Sequence, residues 1–143
     1  FFTPKQSSSP ATSCACVKAN RKETERWTGW GLGSYGGGIK FAFGCAEDLR
    51  KLCGAEAACV TLDNDGLALT APDVEAWHPA ATPAHLVRDE DGGGDAVLTV
   101  LGVARACGES WEDAARLANA GAGLVVRKLG VEPFTRQELA DAL

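Results

Sequence analysis

Apolar residues change their spacing several times along the chain, and each spacing predicts an element. Residues 14–18 form an apolar run of strand length behind a connector over residues 1–13, which is rich in Pro and Ser from Thr3 onward. Asn20 stands three residues before Glu23, the arrangement in which a side-chain cap and a returning carboxylate open a helix, and Gly29 closes that helix. A helical stripe returns over residues 41–53, where Phe41, Cys45, Leu49 and Leu52 share one face and Gly54 ends the run. Residues 57–62 form an almost continuous apolar strand of the kind covered on both faces. The turn Asp63-Asn-Asp-Gly66 then sends residues 67–70 back as the second arm of a hairpin. Residues 74–78 and 85–88 read as two more short strands separated by the bend at Pro79 to Pro83. Helices follow over 94–107, over 110–126 behind Ser110, and over 135–143 behind the capping box Thr135-Arg-Gln-Glu138. Strands alternating with helices predict a layered α/β fold, with strands 14–18 and 57–62 as parallel neighbours and helix 94–107 packed on the sheet.

Composition narrows the classes. With 143 residues and 45% hydrophobic content, the chain has room for one globular domain with its own core. Fourteen basic against nineteen acidic residues give a net charge of -5 and no basic cluster, which argues against a nucleic-acid partner. The longest apolar stretches, 57–62 and 96–103, are far shorter than the ~18 residues of a membrane span. The six cysteines show no CxxC pair and sit among apolar neighbours, so they are expected to be buried, reduced thiols. That places the chain in the cytoplasm or another reducing compartment, an organelle matrix included. The chain starts with Phe, has no Met and lacks a leader pattern, and is expected to be processed or truncated.

Two glycine-rich segments are candidates for anion chemistry. Gly31-Leu-Gly33-Ser-Tyr-Gly36 matches G-x-G-x-x-G in form, yet it follows a helix instead of joining a strand to one, so residues 29–38 read as a surface loop. The run Asp89-Glu-Asp-Gly92-Gly93-Gly94-Asp95 is different, because it passes directly into an apolar helix. Glycines there bare the unpaired amides and the positive end of the helix dipole, a seat for a phosphoryl group, and an acid directly after them can take a proton from an attacking hydroxyl. The same residues also fit a plain loop with Asp95 stabilising the first helical turn.

Five blocks in order resemble the C-terminal half of the PfkB (ribokinase-like) carbohydrate kinases, most closely those that phosphorylate heptose 7-phosphate at its anomeric hydroxyl. Thr3-Pro-Lys5 resembles V-D-P-K, Asn20-Arg-Lys-Glu23 resembles N-x-x-E, and Val60 to Gly66 resembles V-T-x-G-x-x-G. His78-Pro-Ala80 with Val87 to Asp95 resembles H-x-P-A followed by V-x-D-x-x-G-A-G-D, and Leu117 to Gly130 resembles A-N-A-A-A-G-x-V-V-x-K-x-G. The resemblance implies a ribokinase-like three-layer α/β fold, present as its C-terminal portion only. It implies Asp95 as general base, Gly92, Gly93 and Gly94 as anion hole, and Asn20 and Glu23 as organisers of Mg²⁺. It further implies Thr61, Asp63 and Gly66 beside the phosphates of ATP, Asn119 near the adenine, and Asp89 with the Lys128 to Gly130 turn at a site for a monovalent cation.

The chain departs from the pattern in places. Asp63 stands where the family has glycine, which sets a carboxylate against the phosphates unless it turns away. Lys18-Ala19 replaces Thr-Pro, Thr3 replaces an aspartate, Gly93 replaces an alanine, and Glu90-Asp91 adds negative charge beside the anion hole. The family's N-terminal half, with its lid and most sugar contacts, has no counterpart here. The expected partners are therefore ATP, a sugar phosphate, and another chain or segment that covers the open sheet edge. The alternative reading is a degenerate kinase-fold segment serving as a structural subunit of a larger assembly.

Overall fold

The structure is a computed structural model that describes residues 14–29, 38–89 and 91–143. The block at Thr3 to Lys5, the loop reading of residues 30–37 and the charge of Glu90 lie outside the described residues. The chain runs β1 (Cys14–Asn20), α1 (Arg21–Thr28), α2 (Gly38–Leu52), β2 (Ala55–Thr61), β3 (Leu67–Ala71), β4 (Val74–His78), α3 (Gly93–Ala106), α4 (Trp111–Val125) and α5 (Arg136–Asp141). The four strands form one sheet in the order β1-β2-β3-β4. β1 lies parallel to β2, as expected, and β3 and β4 extend the sheet antiparallel.

Alternation along β1 and β2 sorts their side chains into two cores. Val17, Ala19, Ala58 and Val60 meet Ala42, Ala46 and Leu49 of α2 on one face. Cys16, Ala57 and Cys59 meet Val97 and Leu101 of α3 and Ala115 and Ala118 of α4 on the other. Small strand residues let helices approach both faces, which yields a helix-sheet-helix sandwich.

The element edges follow local chemistry. Asn20 caps α1 with the full reciprocal box to Glu23, and Gly29 closes it at φ 75. Thr135 and Glu138 form the second capping box at α5. The strand expected over residues 85–88 does not form. Behind Pro83 at φ -57 the chain takes one 3-10 turn at Ala84–Leu86, and the Arg88 and Asp89 amides donate to the Val126 carbonyl at 2.8 and 3.3 Å, so they join the end of α4 instead of a ladder. The thiol expectation also needs a correction. All six cysteines are free, and Cys16, Cys45, Cys53 and Cys59 are buried, but Cys14 is half-buried and Cys107 is exposed just after α3, where no layer covers it. Among the described residues no helix is long and apolar enough to cross a membrane.

Candidate active site

A cleft of about 270 Å³ opens at the carboxyl ends of β1 and β2, on the face that carries α3 and α4. This is the end of a parallel strand pair where α/β folds place ligands. Its floor is set by the alternation of β1 and β2: Lys18 and Asn20 follow Cys16 onto this face, and Thr61 follows Cys59. Asn20 is fixed by its cap, donating from its backbone to Glu23 Oε2 and accepting from the Glu23 amide with its Oδ1, both at 2.8 Å.

The turn between β2 and β3 forms one wall. Gly66 holds φ 88, and a Cβ there would collide with the His78 carbonyl, so this position requires glycine. Asp63 adopts φ 54, a left-handed conformation that aspartate tolerates and that explains why glycine suits the same position in the resembling pattern. Its carboxylate is turned onto Arg21, whose Nε donates to Asp63 Oδ2 at 3.2 Å. The same guanidinium reaches Asp65 Oδ2 at 3.0 Å and the Leu62 carbonyl at 2.9 Å. Asp63 thus borders the cleft with its charge offset.

The opposite wall is the start of α3. Gly92 is its N-cap at φ 82, and no side chain caps the helix there. The glycines have separate steric reasons. A Cβ would meet Val131 Cγ1 at 3.0 Å from Gly92, Val126 Cγ1 at 3.1 Å from Gly93, and Lys18 Nζ at 2.6 Å from Gly94. Gly93 and Gly94 line the cleft, whereas Asp95 is exposed in the first turn of α3, beyond the lining. The helix start presents its amide ends and positive dipole end to the cleft, an arrangement suited to an anion.

The remaining candidate residues divide. Asn119 lines the cleft and is held by donation from Nδ2 to the Pro79 carbonyl at 2.8 Å. Asp89 bridges two loops, accepting from the Asp91 and Gly130 amides at 3.0 Å each, which brings it against the turn the sequence paired with it. Lys128, expected as a cofactor-binding residue in the turn paired with Asp89, points away from the cleft. Its ammonium donates to the Pro133 carbonyl at 2.9 Å and pairs with Glu138 at 3.0 Å, because the chain after α4 folds back over it. Among the described residues no three His, Cys, Asp or Glu side chains form a ready metal cluster. Asn20 and Glu23 offer oxygen donors of the kind that hold Mg²⁺ through waters and substrate phosphates.

Lys18 is the residue that the sequence reading registered only as a departure. It is 6% exposed, and burial of Cys59, its register partner, pushes that thiol up to about 12. The available signal was a lysine inside an apolar run, on the face shared with Cys16.

Residues 3–137 match the sequence profile of the pfkB family carbohydrate kinase. The "Bifunctional protein HldE" of Desulfatibacillum aliphaticivorans is 36% identical over 128 residues, which cover 90% of this chain and 25% of that protein. The "D-beta-D-heptose 7-phosphate kinase" of Bordetella bronchiseptica is 45% identical over 95 residues, covering 66% of this chain and 30% of that one. Arabidopsis thaliana ribokinase, solved with ribose and ATP, superposes with a TM-score of 0.74 at 25% identity, over 91% of this chain and 41% of its own. The chain thus spans a quarter to two fifths of the length of the proteins it matches.

Proposed function

The chain belongs to the pfkB family of carbohydrate kinases, and from that premise we propose that it supplies the phosphate half-site and the general base for ATP-dependent phosphoryl transfer to a sugar or sugar-phosphate hydroxyl. The observation that carries this reading is the start of α3: a helix with no side-chain cap, cleared by glycines, at the carboxyl ends of two parallel strands, with Asp95 in its first turn. In that role Asp95 takes the proton of the acceptor hydroxyl as its oxygen attacks the γ-phosphorus and ADP leaves. The α3 amides hold the charge that builds on the phosphoryl oxygens. Asn20 and Glu23 are the proposed organisers of Mg²⁺ and its waters. The cation's contribution, when bound, is to neutralise phosphate charge. The Asp89 and Gly130 junction is the proposed seat of a monovalent cation. The name of the Bordetella bronchiseptica relative favours heptose 7-phosphate as acceptor.

A second reading has its own observation. β1 pairs only with β2 among the described residues, so the half-site stands beside an open sheet edge, as it would in a structural segment of a larger assembly. Calorimetry with Mg-ATP, followed by phosphoryl transfer once the complementary half of the kinase is supplied, separates the two. Binding is expected, and Asp95→Asn is expected to lose on the order of 10²- to 10⁴-fold in turnover while retaining nucleotide affinity. A chain that binds no Mg-ATP, or an Asp95→Asn enzyme with full turnover, overturns the kinase reading.

A further inference from the structure

Lys18 occupies an unusual position for a lysine. It sits in β1 with 6% exposure, between Val17 and Ala19, which are both fully buried. Among the described residues no hydrogen bond or ion pair holds its ammonium, although a buried charge is costly unless a partner of opposite sign meets it. Its register partner Cys59 supplies no counter-charge, since burial keeps that thiol protonated. The ammonium is aimed at one place. It lines the cleft and lies 2.6 Å from where a Cβ on Gly94 would stand, over the first turn of α3. The two features, an unpaired buried cation and a helix start without a side-chain cap, converge on the same volume.

We infer that Lys18 and the first-turn amides of α3 together form a seat for one tetrahedral phosphoryl group, with Gly94 acting as the clearance that admits the lysine. An ammonium at the positive end of a helix dipole repels that dipole until a dianion sits between them, and a phosphate is the anion that satisfies both. The inference rests on the kinase reading for the source of that group, the polyphosphate of a nucleotide and not the phosphate of the sugar. Lys18 is then a phosphate-binding residue on β1, in addition to the helix start.

The test uses the 143-residue chain with sodium tripolyphosphate, Mg-ATP and a sugar 7-phosphate as probes, at fixed ionic strength against chloride, by calorimetry and thermal melting. Tripolyphosphate is expected to bind the wild type and raise its melting temperature. Lys18→Met is expected to bind it at least tenfold more weakly and, without ligand, to melt no lower than the wild type, because it removes an unpaired buried charge. Gly94→Ala is expected to show the same loss, because its methyl group displaces the ammonium. The inference falls if tripolyphosphate does not bind the wild type, if Lys18→Met binds it as tightly, or if Lys18→Met melts well below the wild type. Should Lys18→Met fail to fold, Gly94→Ala decides alone, and unchanged binding there also overturns the inference. Mg-ATP separates the inference from the reading beneath it. Equal Mg-ATP affinity in the wild type and Lys18→Met sinks the Lys18 seat while the nucleotide reading stands. Lys18-dependent tripolyphosphate binding with no tighter binding of Mg-ATP keeps the seat and removes the nucleotide. Tighter binding of the sugar 7-phosphate than of Mg-ATP overturns the choice of source.

Discussion

At the scale of single residues, charge at the cleft is set by pairs that sequence separation hides. Asp63 reads in sequence as a carboxylate aimed at phosphates, and the Arg21 that neutralises it lies 42 positions earlier. Only the parallel register, which puts Asn20 opposite Thr61, brings α1 beside the turn after β2. Lys18 was equally hidden, because what it faces is a helix start more than seventy residues away and not another side chain. The glycines of the α3 start and the cap at Asn20 were legible, since their local chemistry names their geometry. Asp63→Gly puts the paired reading to the test. The change removes a left-handed aspartate and its carboxylate from the cleft rim, while Arg21 keeps its contacts to Asp65 and the Leu62 carbonyl. Removing one negative charge near a phosphate is worth about 1 kcal/mol at a wet surface, so Mg-ATP affinity is expected to rise roughly fivefold. Stability is expected to stay within about 1 kcal/mol, because relief of backbone strain offsets a screened ion pair. Calorimetry and a melting curve on one variant check both, and an unchanged affinity means that Asp63 does not face the phosphates.

At the scale of elements, the caps carried the reading and the irregular connections escaped it. Both capping boxes and Ser110 at the start of α4 stand where the sequence put them, because a side chain three residues from an amide settles the geometry by itself. Residues 85–88 look like a strand in isolation, but the Leu86 and Val87 amides close a 3-10 turn onto Pro83 and Ala84, and the Arg88 amide goes to the Val126 carbonyl at the end of α4, a partner that no local pattern shows. The box at α5 gives a pH prediction. Donation from the Thr135 amide, then from Lys128, holds the Glu138 carboxyl down to about 2, against an ordinary value of 4.5. A depressed carboxylate stabilises the fold above its unfolded value and loses that contribution as pH falls through its folded one. The docking of α5 is therefore expected to weaken between pH 4.5 and about 2. Protection of the Glu138 and Leu139 amides, taken against the intrinsic exchange rate at each pH, should fall across that window, with a carboxyl titration midpoint near its lower end. Glu138→Gln, which keeps a side-chain acceptor but no charge, should flatten the profile; a wild-type midpoint near 4.5 would mean that the box does not hold the carboxylate.

At the scale of the molecule, β1 poses the remaining problem. Cys16, Val17 and Ala19 are fully buried on the two faces of the strand, the pattern of a strand interior to a sheet, yet among the described residues β1 stands at the edge in the order β1-β2-β3-β4. The parallel pairing of β1 with β2 was readable from two apolar runs joined through helices. Residues 74–78 were readable as a strand, but the place of β4 in the sheet was not, because its pairing depends on a two-residue turn in which Asp73 takes φ 61. A strand buried above and below but, among the described residues, open on one side calls for a neighbouring strand, and in this family that neighbour is expected from the half of the kinase domain that these residues do not include. Alternate β1 amides point to β2 and alternate ones point away, so hydrogen exchange can read the edge directly. In the chain alone, the outward set is expected to exchange far faster than the inward set and faster than the amides of β2. Adding the N-terminal half of the Bordetella bronchiseptica relative's kinase domain as a separate polypeptide is expected to slow the outward set while leaving the inward set unchanged. Protection of both sets before any addition would mean that a second copy of this chain already covers the edge, and no protection after it would mean that β1 is a true edge held by its two helical layers.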